Sequence, residues 1–130
     1  MQLMPTAGHE ISGIILDENG ADRVINRSFL DHQVQGDLPF IPAQGPGIRV
    51  RVLSVYISSG RKRASFWSFK SNTTNITATN FLAEGANNIV LPHQVPGWFQ
   101  TAPNEALVLD VQNTVAAEFT GVTITWVQAT

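Results

Sequence analysis

Ile48-Arg-Val-Arg-Val-Leu-Ser-Val-Tyr-Ile57 is the stretch that decides the fold. Ile48, Val50 and Val52 alternate with Arg49 and Arg51, the two-residue period of a strand with one buried face. After Val52 the phase slips by one residue, and Leu53, Val55 and Ile57 take over the apolar positions. Side chains of a strand alternate faces, so such a slip predicts either a β-bulge or a strand buried on both sides. Ser58-Ser-Gly60 ends the run.

The same pattern of short apolar runs between Gly, Pro and Asn extends in both directions. Upstream, residues 11–16 and 21–30 read as two strands around an Asn19-Gly20 turn signal, a candidate N-terminal hairpin. Residues 31–47 carry Gly36, Pro39, Pro42, Gly45, Pro46 and Gly47, which predicts a loop crossing one end of the domain and pinned to the core by Phe40 and Ile41. Downstream, strands are expected at 64–70, 76–82, 88–91, 98–101, 106–111 and about 118–128, with a turn at Asn72-Thr-Thr-Asn75. The best helical window, 80–87, is cut by Gly85 to about one turn. The reading is therefore all-β: a single-domain, jelly-roll-like antiparallel β-sandwich of about eight short strands over residues 11–130, preceded by a flexible N-terminal arm, residues 1–10.

Composition narrows the function classes. The chain has 130 residues, enough to bury a core without cross-links, and contains no cysteine, which excludes disulfides, thiolate nucleophiles and cysteine-type zinc sites. Only 14% of residues are charged, which leaves a surface of Ser, Thr, Asn and Gln suited to lateral packing against other chains. A net charge of −2 gives no electrostatic case for nucleic acid. No apolar run approaches the ~18 residues of a membrane-spanning helix, so no membrane partner is expected. Met1-Gln-Leu-Met-Pro5 lacks the basic and apolar regions of a signal peptide, which predicts release into the cytoplasm.

Catalytic patterns are missing. His9, His32 and His93 are far apart and have none of the close spacing of a metal-binding strand. Asp17-Glu-Asn-Gly-Ala-Asp22 has some calcium-loop character without the full ligand spacing or the closing glutamate. There is no nucleophile elbow and no glycine loop opening a helix. The expectation is a protein that is not an enzyme, with no cofactor and no metal. Contact candidates remain: the basic cluster Arg61, Lys62 and Arg63 at an expected hairpin tip, and the rings of Trp67 and Trp98, which in exposed positions stack on sugars or anchor a protein contact. Trp126 fits a core face.

Pro96-Gly-Trp-Phe-Gln-Thr-Ala-Pro-Asn-Glu-Ala-Leu-Val-Leu-Asp-Val111, Thr120-Gly-Val-Thr-Ile-Thr-Trp126 and Pro46-Gly-Ile-Arg-Val-Arg-Val-Leu-Ser-Val-Tyr56 together resemble the small virion proteins of tailed bacteriophages. The resemblance covers roughly half the chain. It implies a β-sandwich that serves as a capsid decoration, or cement, protein on the virion surface. Its partner would be the major capsid protein, and it would form a homo-oligomer, a trimer favoured, after synthesis in the host cytoplasm. In that setting the arm around Met4 and Pro5 becomes a contact candidate beside the Arg61–Arg63 tip. The alternatives are a tail, neck or fibre component and, from the tryptophans, a carbohydrate-binding module.

Overall fold

The computed structural model describes residues 8–16, 22–32, 36–61, 65–82, 85–94, 96–112 and 120–130. The described residues form eleven strands: β1 (Gly8–Leu16), β2 (Asp22–His32), β3 (Gly36–Ile41), β4 (Arg49–Arg61), β5 (Ser65–Ser71), β6 (Thr74–Asn75), β7 (Asn80–Leu82), β8 (Gly85–Leu91), β9 (Phe99–Gln100), β10 (Leu107–Gln112) and β11 (Thr120–Ala129). Among the described residues there is no helix.

The strands form two antiparallel sheets. One runs β1-β2-β11-β4-β8, with β9 also on β4; the other runs β3-β10-β5-β6, with β7 also on β5. From β2 to β5 the chain changes sheet at every step, and the later strands pair back in reverse order: β5 with β6 and β7, β4 with β8 and β9, β3 with β10, and β2 with β11. A long hairpin rolled up in this way is a jelly roll. Strand β1 lies outside the roll and extends the first sheet beyond β2.

The strand that decided the reading lies inside its sheet, flanked by β11 on one side and by β8 and β9 on the other. Its phase slip is a bulge: Thr125 faces Ser54 and Trp126 faces Val52, which leaves Leu53 as the extra residue. Val50, Val52, Val55 and Ile57 point into the space between the sheets. Leu53 is fully buried but stands outside that inter-sheet cluster, so β4 is buried on both sides at the bulge. Phe69, Leu107, Leu109 and Val111 fill the core from the facing sheet, and Ile124 and Trp126 join it from β11 beside β4. Trp126 is buried as expected, and its indole N–H donates to Ser28 Oγ at 3.0 Å.

Three local expectations need correction. The stretch 31–47 is not all loop, because β3 lies within it. Proline is tolerated there because β3 is an edge strand, and its pairing with β10 is irregular next to Pro39. Phe40 and Ile41 do anchor the segment in the core. The 76–82 strand shrinks to Asn80–Leu82, because Ile76 N–H and Thr77 Oγ1 bond the backbone of Phe69 and hold that stretch as a bend. The 80–87 window holds no helix; its described residues belong to strands β7 and β8.

The outer faces of the two sheets differ. On the second sheet Lys70 Nζ lies 2.9 Å from Asp37 and 3.6 Å from Asp110. The hydrogen bond to Asp37 is the main force raising the lysine above its ordinary value of 10.5; desolvation opposes it, and the Asp110 charge adds to it.

Candidate functional site

The site is built where β4 runs out of β8 and takes up a new neighbour. Residues 92–94 and 96–101 lie along the lower half of β4 and bond to it. Gln94 N–H donates to Leu53 O at 2.9 Å, Trp98 N–H to Val52 O at 2.8 Å and Thr101 N–H to Val50 O at 2.9 Å. Thr101 is fully buried, and its hydroxyl accepts from Val50 N–H at 2.9 Å while its carbonyl accepts from Arg49 at 3.1 Å. Between these anchors β9 pairs Gln100 with Arg51 and Phe99 with Val52.

Alternation then assigns the side chains. Phe99 turns inward, its ring 5.1 Å from that of Phe69. Its neighbours Trp98 and Gln100 turn outward. The Trp98 ring is 39% exposed, yet its indole N–H is fixed to Pro92 O at 2.8 Å. Arg51 Nε donates to Gln100 Oε1 at 3.1 Å, which lays the guanidinium and the amide side by side. Gly97 makes the close approach possible. At φ +120°, a Cβ there would lie 2.9 Å from both Val52 O and Arg51 Cγ. The result is an open cleft of about 270 Å³ lined by Arg51, Pro96, Gly97, Trp98, Phe99 and Gln100. Its lining has an aromatic floor, one cation, one amide and no carboxylate.

The sequence-derived contact candidates are scattered. Met4, Pro5, Lys62 and Arg63 lie outside the described residues. The backbone of Arg61 closes β4 opposite Gly85. Trp67 is 5% exposed and packs edge-on against Phe69 at 5.8 Å, so it offers no contact ring. The reason is phase: of the two rings at 66 and 67 it is Phe66 that faces out, against Phe81 across the strand pair. Of the described candidates, Trp98 alone is placed in a cleft. Arg51 and Gln100, which complete it, were not singled out from the sequence. The Arg49/Arg51 alternation placed Arg51 on an outward face, but nothing local told that residues 99–100 would become its neighbour. Among the described residues no three His, Asp or Glu side chains gather as metal ligands, and His93 is exposed.

No family model matches the chain, and no curated protein matches it. A search of solved structures returns KdgF from Halomonas sp., at 10% identity and a TM-score of 0.31, over 96% of this chain and 84% of that one. So remote a likeness assigns no activity, and the fold rests on the strand order itself. The neighbour is not a virion protein, and the expectation of a capsid decoration protein, with its tail, neck or fibre alternative, is withdrawn. The structure also explains why the motif misled. Gly97, Thr101 and Leu107 within it seat the 96–101 segment on β4 and fill the core, so those positions of the motif report architecture rather than a capsid partner.

Proposed function

We propose that this chain is a non-catalytic binding domain whose ligand site is the Trp98 cleft. The observation that carries the reading is a half-exposed indole held rigid at both its backbone and its ring nitrogen, beside a paired guanidinium and amide. A fixed aromatic face binds flat or ring-shaped molecules at little entropic cost, and donors at its rim orient their oxygens. A guanidinium stays protonated and an amide does not ionise, so neither acts as a nucleophile or general base at neutral pH. Both suit recognition better than turnover. Isothermal titration with a panel of monosaccharides, nucleosides and aromatic carboxylates tests the proposal. The expected result is a binder whose affinity falls about tenfold or more, over 1.4 kcal/mol, on Trp98→Ala. A binder indifferent to that substitution, chemical turnover of any panel member, or a panel without a binder contradicts it.

A further inference from the structure

The Trp98 cleft occupies a basic corner of an acidic chain. The net charge is −2, yet Arg49 and Arg51 stand together on the outward face of β4, on either side of the inward Val50. Each is pinned by a neutral oxygen of the segment that carries Trp98. Arg51 Nε donates to Gln100 Oε1 and Arg49 Nη1 donates to Thr101 O, both at 3.1 Å. Bonds to an amide and a carbonyl fix the two guanidinium groups in place without contributing a negative charge. Among the described side chains the carboxylates lie elsewhere. Asp37 and Asp110 share Lys70 on the second sheet, and Glu105 accepts from Ser71 Oγ. Asp31 lies beside Gly121, about 20 Å along β11 from the Val127 that pairs with Arg51.

The hydrogen-bonding character of the lining points the same way. A guanidinium has donors and no acceptor. Gln100 commits its side-chain oxygen to Arg51, which turns its NH₂ group, also a donor, to the remaining space. The one side-chain oxygen of the described lining is thereby occupied from within the protein. A group that enters between Arg51 and Gln100 is therefore held best if it only accepts, as an ionised carboxylate or phosphate does. Both match the planar fork of a guanidinium, and charge-assisted bonds are about twice as strong as neutral ones. The indole beside them takes a flat ring, and a cleft of about 270 Å³ suits one ring with a small substituent.

We infer that the ligand of the Trp98 cleft is a single ring bearing one anionic group, a carboxylate or a phosphate, with the ring on the indole and the anion on Arg51. The inference rests on the reading of the cleft as a binding site and adds the ligand's charge to it.

Matched pairs titrated calorimetrically into the whole chain test it: benzoate against benzamide, a nucleoside 5′-monophosphate against its nucleoside, and a hexose 6-phosphate against its hexose. In at least one pair the anionic member binds about tenfold or more tighter than its neutral twin, and the benzoate and phosphate arms show which anion is taken. Raising salt from about 20 mM to about 0.5 M erodes that preference and leaves the neutral member's affinity in place. Arg51→Gln abolishes the preference, whereas Trp98→Ala weakens both members alike. Thermal melts check that the variants fold, and the pair comparison and the salt series need no variant at all. Pairs whose members bind equally, both through Trp98, overturn the inference and leave the binding reading standing. A preference that persists in Arg51→Gln overturns the inference as well. Anion binding indifferent to Trp98→Ala, or no binding by any member, overturns both.

Discussion

Replacing Gly97 with alanine strikes the fold and the site at one atom. The new Cβ would sit 2.9 Å from Val52 O, the oxygen that accepts the Trp98 backbone N–H at 2.8 Å. It would also sit 2.9 Å from Arg51 Cγ. The arginine side chain can swing aside; the β4 carbonyl cannot, because β4 is held on its other edge by β11. The 96–98 turn must therefore lift. The left-handed φ costs a non-glycine residue on the order of 1–3 kcal/mol. Losing the Trp98–Val52 hydrogen bond adds about 1 kcal/mol. The expected destabilisation is about 2–4 kcal/mol in urea unfolding, with the fluorescence of Trp98 shifting toward that of a solvated indole. Gly47→Ala is the control, since Gly47 also has positive φ (+74°) but nothing lies within 4 Å of its Cβ. It loses only the backbone part. If Gly97→Ala costs no more than Gly47→Ala, the close approach does not hold the site together and the reasoning fails.

Other substitutions separate satisfied from unsatisfied polar groups. Ser65 and Ser71 are both buried on β5, but Ser65 Oγ has no partner, whereas Ser71 Oγ donates to Glu105 and accepts from Ala102 N–H. Ser65→Ala should be neutral or stabilising by up to about 1 kcal/mol, and Ser71→Ala should cost about 1–3 kcal/mol, as read by paired denaturant melts. Thr101→Val keeps the shape but orphans the buried Val50 N–H, at about 1–3 kcal/mol, and Thr101→Ser should recover most of it. A lysine whose folded pKa is raised contributes stability that is complete below the unfolded value and fades as pH climbs through the folded one. The stability gap between wild type and Lys70→Met should accordingly be constant below pH 10.5 and close above it, in melts across the alkaline range.

Much of the architecture was legible because burial imposes a period on each strand. The β4 slip, the inward Val50/Val52 and Val55/Ile57 pairs and the buried Trp126 follow from alternation alone. Strand β3 was hidden because proline and glycine read as breakers, and only its place at a sheet edge makes Pro39 harmless. Trp67 was ambiguous because rings stand at 66, 67 and 69, so local sequence allows either phase. Half of the cleft could be read: Trp98 after Pro96-Gly97 announces an aromatic in a turn. Arg51 could not be joined to Gln100, 49 residues away, because that pairing comes from the rolled topology. The phage-like motif failed as a signal for a capsid partner for the related reason that Gly97, Thr101 and Leu107 within it serve the closure of the roll.

The central claim is that Trp98 is the ligand platform, and the chain carries its own controls for it. It has three tryptophans: Trp67 and Trp126 are buried in the core, and Trp98 is open in the cleft. In a ¹⁵N-resolved NMR titration with the tightest panel binder, the account predicts that the Trp98 indole resonance moves saturably while those of Trp67 and Trp126 stay in place. Movement of a core indole with Trp98 unchanged would contradict it.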